Sequence, residues 1–576
     1  MAKLSERRAG GVLPAPGKLD RTVHLIAEGL PQVDRRIPLR IVVWTFGVIL
    51  VVAAVWFYWR SQGIKRGGVD EYVYTYVGWA WLHGDWPYLH SFDNKGPLVM
   101  IVAMLRVALL GIQPEMLGVQ QIIVGLFTAA LIAGIAHYVW GGLSSALAFV
   151  LGVLFWTQGG VQGGLVATPS SLIGMFTTAS ILAAIMAVRR PGFGEAARLA
   201  LAMGICWGLA LCVKPNALSA PFVSLAVVWF LGRYRTRREQ LYLTLLGGLG
   251  ALAPILAVAL VFYTGGALNA LYEAYIAFNS VRSGQMLEGG GILNLLQRTR
   301  WILSLVGLWR KELALLIVPF VALAAVPVLF GRAKIPSIFH KFELILALWL
   351  VLEFGLVATN GGWGYQAFPV LPPTVLAVTW LVVAASRIPS TLSRTSALVM
   401  GLVLVAVPAV STALTRPEVE RVERLDSHWN QVVDDMRNAT GPEDRVFILA
   451  WNNDFIMNHI QRKSVSRYIH MVPLITSGYA SDQHWADLVS ELELHPPKVM
   501  LVQEFDYSNP ADLSGLVTWA LKWFDTYFVP PETLDSTNYP NRAKFVSFIA
   551  SNYQEEYCMA DLCLLKLSQS GSAGRY

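Results

Sequence analysis

A series of long apolar runs between residues 41 and 414 constrains this chain more than any other feature of its sequence. An α-helix rises about 1.5 Å per residue, so about 20 apolar residues span the roughly 30 Å of hydrocarbon in a bilayer. Only 14% of the residues are charged, whereas about 25% is usual for a soluble domain. The chain is therefore predicted to be an all-α polytopic membrane bundle over most of its length.

Twelve of these runs are candidate membrane-spanning helices by hydropathy. They are residues 41–59, 97–112, 118–138, 142–156, 166–188, 199–213, 217–231, 241–263, 313–330, 344–358, 367–385 and 397–414.

Basic clusters between the runs predict the orientation of the chain. They lie at residues 189–190, 233–238, 332–341 and 387–394, and the positive-inside bias places such clusters in the cytoplasm. The chain after residue 414 would then lie outside, although twelve full crossings from a cytoplasmic N-terminus would leave it inside. We therefore expect eleven or thirteen crossings. The irregular segment is expected between residues 97 and 188, where residues 159–164 are rich in glycine.

The sequence divides into three parts. Residues 1–40 form a basic, flexible cytoplasmic tail, residues 41–414 form the transmembrane domain, and residues 415–576 read like a soluble α/β domain on the extracytoplasmic side. Two long stretches between predicted spans, residues 60–96 and 264–311, are predicted to lie outside; we call them the first and second long loops. Both carry helical patterns and are interpreted as interfacial helices on the outer face. The predicted location is the plasma membrane, which is the inner membrane of a bacterium.

The last part of the chain alternates strand-like and helix-like patterns. Strands are predicted at 445–450, 498–503, 544–550 and 562–567, with one helix beginning near 453 and another near 513–524. Cys558 and Cys563 flank four residues between two of the strand-like runs. If this domain lies outside the cytoplasm, the two cysteines can form a disulfide across a hairpin.

The first long loop carries the residues most suggestive of chemistry. A helix is predicted from residue 70 to 83, and it begins with Asp70 and Glu71 shortly after a membrane span. Asp93 and Lys95 come directly before the next span. Ionisable groups at this depth are expensive and usually functional.

Three motifs of this loop resemble the first loop of membrane glycosyltransferases that use polyprenyl-phosphate-linked sugars. They are the Asp-Glu pair at 70–71, the Gly-Asp-Trp-Pro-Tyr turn at 84–88 and the Lys-Gly-Pro-Leu start of the next span at 95–98. Bacterial relatives of the protein O-mannosyltransferases and of the lipid A aminoarabinose transferase share this pattern. The resemblance continues at residues 208–216, 275–282, 364–372 and 464–468. It implies a GT-C-like membrane fold with a C-terminal extracytoplasmic α/β domain.

The resemblance also implies a site. A carboxylate that accepts a proton from the acceptor hydroxyl can drive a single inverting displacement at the anomeric carbon, and the departing lipid phosphate needs only cations. Asp70 is the predicted base, and Glu71 either orients it or points away. The predicted phosphate-binding residues are Lys95, Arg282 and Lys214, and the further candidates are Asp93, Tyr365 and Gln366.

Each assignment has a structural alternative. Asp70 can cap the N-terminus of its helix, and this is compatible with a role as base. Asp93 and Lys95 can simply pair at the membrane interface. Lys214 can extend its side chain towards the headgroups, and Arg282 can contact them.

The predicted function is an inverting glycosyltransferase that moves a hexosyl or pentosyl group from a polyprenyl-phosphate donor. The acceptor would be a glycan, lipid or protein of the cell envelope, and membrane lipids are the other expected partners. A lipid-linked glycan transporter or flippase and a glycan polymer ligase are the alternatives. The net charge is +7, and the basic residues lie between the apolar runs. They do not form a basic stripe with interleaved aromatic residues, so nucleic acid is not an expected partner. No metal-binding spacing is found, and no cofactor is firmly implied, but the acidic pair at 70–71 leaves a divalent ion open.

Overall fold

The computed structural model describes most of the membrane part of the chain and most of its C-terminal part. The described residues are 69–113, 115–156, 168–232, 235–281, 337–359, 368–386, 420–450, 453–476, 478–503, 517, 539–559 and 562–568. All of them belong to one compact unit. The predicted tail at 1–40, the spans at 41–59, 313–330 and 397–414 and the glycine-rich segment at 159–164 lie outside the described residues, as does the helix near 513–524 except for residue 517.

Helices form every predicted span that falls within the described residues. The first eleven α-helices are α1 (Val69–Leu82), α2 (Pro97–Leu110), α3 (Glu115–Trp140), α4 (Gly142–Trp156), α5 (Pro169–Arg189), α6 (Phe193–Val213), α7 (Ser219–Ala226), α8 (Arg237–Thr264), α9 (Leu268–Leu271), α10 (Ser337–Thr359) and α11 (Leu371–Ser386). A π-helical turn, Val227–Leu231, continues α7, and a second one, Tyr272–Ala277, continues α9.

Four helices in the described part of the chain are long and apolar enough to cross a membrane, judged by length and composition. They are Met116–Trp140, Pro169–Arg189, Phe193–Val213 and Arg237–Thr264. Shorter apolar helices cover Pro97–Leu110, Gly142–Val153, Ser219–Leu231 and Phe368–Trp380. Apolar helices of this length and number indicate a membrane protein.

Small residues bring two of the long helices into backbone contact. A Cβ added to Gly204 of α6 would lie 1.8 Å from the carbonyl oxygen of Gly247 on α8. Such close approach is how helices pack in a bilayer, where dispersion contacts replace the hydrophobic effect as the driving force. The opposite face of α8 exposes Leu245, Leu249 and Leu256, as a lipid-facing surface requires.

Local sequence sets where these helices begin. Thr236 and Glu239 form a complete capping box at the start of α8, with the Glu239 side chain accepting from the Thr236 amide at 2.9 Å. Thr168 caps α5, whose first residue is Pro169, and a proline is favoured at that position because its missing N–H would have no partner.

Helix α1 corrects one expectation. It forms where it was predicted, but every residue from 71 to 80 is buried, so α1 is enclosed by protein and does not lie on the surface as an amphipathic helix would. Helix α2 covers one side of it and the C-terminal part of the chain covers another. Helix α1 itself carries aromatic and apolar residues on all of its faces, as a helix enclosed by protein does.

The C-terminal part is a mixed five-stranded sheet with helices, and we call residues 420–568 the C-terminal region. Its elements are α12 (Glu420–Ala439), β1 (Arg445–Leu449), α13 (Asn453–Ile460), β2 (Lys463–Ser464), α14 (Val472–Ile475), α15 (Asp482–Leu494), β3 (Val499–Gln503), α16 (Pro540–Asn552), β4 (Tyr553–Met559) and β5 (Leu562–Leu567). The strand order is β2-β1-β3-β5-β4. The first three strands are parallel, and β5 and β4 are antiparallel to their neighbours.

The strand predicted at 544–550 is wrong, because these residues lie within α16. Phe545, Phe548 and Ile549 recur at helical spacing and are buried in the core of the C-terminal region. Pro540 at the first turn favours the helix start. The strands predicted at 445–450, 498–503 and 562–567 are confirmed, as is the helix that begins near 453.

The predicted hairpin disulfide is confirmed. Cys558 and Cys563 are paired residues on β4 and β5, and a disulfide joins them. The other two cysteines, Cys206 and Cys212, are free thiols of α6. The bond closes the turn between the last two strands of the sheet.

We expect the double substitution Cys558→Ser, Cys563→Ser to destabilise the C-terminal region. The bond spans a sequence separation of 5, and closing so short a loop is worth about 2 kcal/mol through the entropy of the unfolded chain. A melting temperature a few degrees lower and faster proteolysis near β4 would show this effect. Cys206→Ser serves as the control and should change neither measurement, whereas identical melting of the double variant and the wild type would contradict the prediction.

Candidate functional site

The predicted base and the first predicted phosphate-binding residue lie side by side. Asp70 is in the first turn of α1, and its Oδ2 lies 3.6 Å from Nζ of Lys95. Tyr74, one turn further along α1, donates a hydrogen bond to the same Oδ2 at 3.3 Å. Its ring also faces Lys95, with Nζ 5.8 Å from the ring centroid. The Asp70 side chain keeps 34% of its surface exposed, so a substrate hydroxyl can reach it.

Glu71 faces a different side of α1. It is 2% exposed, and its carboxylate interacts electrostatically with Arg106 of α2. Arg106 is 5% exposed and donates to the hydroxyl of Thr75, which in turn donates to the Glu71 carbonyl at 2.7 Å. Successive residues of a helix differ by about 100° in direction, so Asp70 and Glu71 reach different environments. Of the two interpretations of Glu71, the structure supports the one in which it points away from Asp70.

Asp93 shapes the turn that presents Lys95. It is 3% exposed, and its Oδ1 accepts the Lys95 backbone N–H at 2.7 Å. Its Oδ2 lies 3.9 Å from Nε2 of His470 in the C-terminal region. Asp93 therefore holds the backbone of the site and pairs with Lys95 through the main chain.

Tyr88 holds the same turn from the other side. It is the tyrosine of the predicted Pro-Tyr turn, it is fully buried, and its φ of 66° is left-handed. A bulky residue rarely adopts this conformation, and such strain persists only where surrounding contacts enforce it. One such contact is the hydrogen bond from the Tyr88 hydroxyl to the Lys95 carbonyl, at 2.7 Å. Burial, followed by the charge of Asp93, raises the pKa of the Tyr88 phenol, so it remains a donor at neutral pH.

A backbone contact joins the turn of Lys95 to the turn of Lys214. The N–H of Gly96 donates to the Val213 carbonyl at 3.0 Å. A Cβ on Gly96 would lie 2.1 Å from the Cys212 carbonyl oxygen, so no residue other than glycine fits without movement. Lys95 and Lys214 each adjoin one of the bonded residues and are both partly buried. The structure thus brings together Asp70, Asp93 and the turns that carry both lysines, whereas Arg282, Tyr365 and Gln366 lie outside the described residues.

The C-terminal region contributes contacts that the sequence did not predict. Arg445 binds Asp85 of the first long loop through both guanidinium nitrogens, at 3.0 and 3.1 Å, and Nζ of Lys463 lies 3.7 Å from the same carboxylate. The backbone N–H of Phe92 donates to the Arg467 carbonyl at 2.7 Å. Of the three basic residues that the C-terminal region contributes to these contacts, only Arg467 had a signal in the sequence, because it belongs to the stretch at 464–468 that carries the family resemblance.

The described residues do not form a metal site at Asp70. Glu71 faces Arg106 and Asp93 binds the Lys95 backbone, so their carboxylates do not converge with that of Asp70. Within the described ranges, the one group of three candidate ligands in mutual reach is Glu555 with the two disulfide-bonded cysteines. Sulfur atoms in a disulfide are not thiolates and make poor metal ligands.

Comparisons with known proteins define the fold. A scan against protein-family models finds no match, and a sequence search of curated proteins also finds none. Solved structures do match. ArnT from Cupriavidus metallidurans, bound to undecaprenyl phosphate, aligns with a TM-score of 0.56 and 12% identity, over 92% of this chain and 99% of that one.

Two archaeal structures agree with this likeness. The Archaeoglobus fulgidus oligosaccharyltransferase in complex with Zn and sulfate has a TM-score of 0.51 and 12% identity, over 82% of this chain and 69% of that one. AglB from the same organism, with an inhibitory peptide and a dolichol-phosphate, has a TM-score of 0.50 and 11% identity, over 92% and 74%. The chain therefore has the GT-C fold of membrane glycosyltransferases, as the motifs of the first long loop implied.

We expect Gly96→Ala to disrupt the site more than its small size suggests. The added methyl group meets two backbone carbonyl oxygens, at 2.1 and 2.4 Å, and backbone cannot swing aside as a side chain can. Overpacking of this kind costs about 1–3 kcal/mol and would displace Lys95 from Asp70. The measurements are the melting temperature and the glycosyl transfer described below. Gly142→Ala is the matched control, since nothing lies within 4 Å of its added Cβ; equal behaviour of the two variants would contradict the prediction.

Proposed function

We propose that this protein is an inverting glycosyltransferase that transfers a sugar from a polyprenyl-phosphate donor to an envelope glycan, lipid or protein at the outer face of the membrane. The observation that carries the proposal is the pairing of a partly exposed carboxylate, Asp70, with the cation of Lys95 at 3.6 Å. The GT-C fold supports the same kind of reaction, because ArnT was solved with undecaprenyl phosphate and AglB with a dolichol-phosphate.

The reaction needs one base and one anion-binding group. Asp70 accepts the proton of the acceptor hydroxyl as the acceptor oxygen attacks the anomeric carbon. The bond from that carbon to the phosphate oxygen breaks on the opposite face, its electron pair leaves with the lipid phosphate, and the anomeric configuration inverts. Lys95 stabilises the departing phosphate, with Lys214 and Arg282 as the further proposed cations.

The distance between Asp70 and Lys95 suits an exchange of partners. A charge-assisted hydrogen bond is about 2.7–2.9 Å long, so the 3.6 Å contact is loose. A phosphate dianion or monoanion can therefore attract Lys95 without breaking a strong bond. Asp70 would keep its hydrogen bond from Tyr74 and remain available to the acceptor hydroxyl.

Two observations support the outer face as the side of the reaction. Disulfides persist in oxidising compartments, and Cys558 is joined to Cys563 in the region that packs against the first long loop. The basic clusters at 189–190 and 235–238 lie at the N-terminal ends of α6 and α8, whereas Lys214 follows the C-terminal end of α6. Such clusters favour the cytoplasm. In this orientation Asp70 would lie on the envelope side of the inner membrane of a bacterium.

We expect Asp70→Asn to abolish transfer while preserving binding of the lipid phosphate. Loss of a general base typically costs about 10²–10⁴-fold in rate, and an amide cannot accept the proton. Lys95→Met should instead weaken binding about tenfold, since a hydrogen bond between charged groups is worth about 1.5–3 kcal/mol. Undecaprenyl phosphate binding is measured on the purified protein, and transfer is followed with radiolabelled undecaprenyl-phosphate sugars and envelope membranes as acceptor.

The control for both variants is Asp434→Asn, which removes an exposed carboxylate of α12 far along the chain. It should match the wild type in both assays. Full transfer by Asp70→Asn would eliminate Asp70 as the base. Movement of the lipid across vesicle membranes by a wild-type protein that transfers no sugar would favour a transporter.

A further inference from the structure

Glu273 connects the second long loop to the C-terminal region. It lies on the π-helical turn Tyr272–Ala277, and its Oε2 is 3.0 Å from Nη2 of Arg467. Its Oε1 accepts a hydrogen bond from the Tyr479 hydroxyl at 2.6 Å and lies 4.0 Å from Nε2 of His484. Three side chains of the C-terminal region thus converge on one carboxylate, and π-helical turns are often found at functional sites.

The surroundings of Tyr479 and His484 determine which side chains around Glu273 carry a charge. Burial, followed by the hydrogen bond to Glu273, raises the pKa of Tyr479, so its phenol stays protonated and donates. Burial lowers the pKa of His484 despite the opposing effect of Glu273, so the imidazole is neutral at pH 7. Arg467 is therefore the cation that holds Glu273.

Aromatic packing reinforces the same connection. Phe278, which is 1% exposed, packs against Tyr479 with ring centroids 4.8 Å apart and against Phe92 of the first long loop at 5.5 Å. The guanidinium of Arg467 lies over the Phe92 ring, 5.3 Å from its centroid. The segment that carries Glu273 is consequently held between the first long loop and the C-terminal region.

From this segment a chain of hydrogen bonds leads to Lys95. Asn279 donates to the Asn94 carbonyl at 2.7 Å, and the Asn94 amide donates back to Oδ1 of Asn279 at 3.3 Å. Oδ1 of Asn94 in turn accepts from Nζ of Lys95 at 3.2 Å. A second anchor, the hydrogen bond from the Tyr275 hydroxyl to the Leu211 carbonyl, ties the segment to α6.

We propose that Glu273 is a positioning residue: by binding Arg467 and Tyr479 it fixes Asn279 against Asn94, and Asn94 aims Lys95 at the donor phosphate. The inference rests on the proposed function only for the role of Lys95. Its structural half, that Glu273 orders the turn of Lys95, is independent of any substrate. The C-terminal region then contributes to the reaction by holding the second long loop.

The test is a double-mutant cycle on binding of undecaprenyl phosphate to the full-length protein. Glu273→Gln keeps the side-chain size but loses the charge that Arg467 binds. In the wild-type background it should weaken binding about fivefold, and in the Lys95→Met background it should have almost no effect, because both changes remove the same interaction. An equal loss in both backgrounds, as general destabilisation would give, overturns the proposal.

Hydrogen exchange of the Gly96 amide measures how firmly the turn of Lys95 is held, independently of lipid binding. Glu273→Gln should speed this exchange, since the turn of residues 93–96 is less firmly held. Unchanged exchange together with unchanged binding overturns the positioning role and leaves the proposed function standing. If the wild type binds no undecaprenyl phosphate, the proposed function fails first, and the aiming of Lys95 fails with it.

Two further variants guard against a folding defect. Asn279→Ala removes the bonds to Asn94 without touching the C-terminal region, and it should reproduce the effects of Glu273→Gln without adding to them. Asp435→Asn removes the charge from the carboxylate that accepts a hydrogen bond from Tyr557, a contact within the C-terminal region. It should alter neither lipid binding nor Gly96 exchange, and a matching loss of binding in this variant would indicate a merely structural effect and overturn the proposal.

Discussion

The contact between Gly96 and the Val213 carbonyl is the constraint on which the arrangement of the site depends. Two chain turns, each next to a lysine, meet there backbone to backbone, and their separation leaves no room for a side chain. Buried backbone groups need hydrogen-bond partners, so this bond satisfies an N–H of one turn and a carbonyl of the other while fixing the distance between the turns. The side chains of Asp93 and Tyr88 then hold the Lys95 turn from two further directions. The lysines therefore sit on backbone that several independent contacts determine.

The adjacent carboxylates of α1, Asp70 and Glu71, lie in different environments. Asp70 is one-third exposed beside Lys95, whereas Glu71 is buried opposite Arg106. Glu71 lies on a side of α1 where its carboxylate interacts electrostatically with Arg106 of α2. Asp70, about 100° away around the same helix, faces the turn of Lys95. Neighbouring carboxylates of one helix therefore meet different surroundings.

The sequence predicted those helices and strands that depend on a local pattern of residues. Hydropathy located α2 to α8, α10 and α11, short strand-like runs located β1, β3 and β5, and the motifs drew attention to Asp70 and Lys95, which lie close together. The failure at 544–550 arose because the apolar residues of that short run fit a strand and a helix equally well, and the start at Pro540 decides for the helix. The contacts between the loops and the C-terminal region had no local pattern to reveal them. Arg445 and Asp85 are 360 residues apart, and Arg467 and Glu273 are 194 apart.

The two long loops and the C-terminal region meet through charges of opposite sign. The loops present Asp85 and Glu273, and the C-terminal region presents Arg445, Lys463 and Arg467. Complementary charges of this kind fix register more than they add affinity, because desolvation offsets much of their attraction. The affinity comes instead from buried aromatic contacts such as Phe92 with Phe278 and Tyr468. Since Phe92 precedes Lys95 by three residues, packing that secures the C-terminal region also sets the position of the cation beside Asp70.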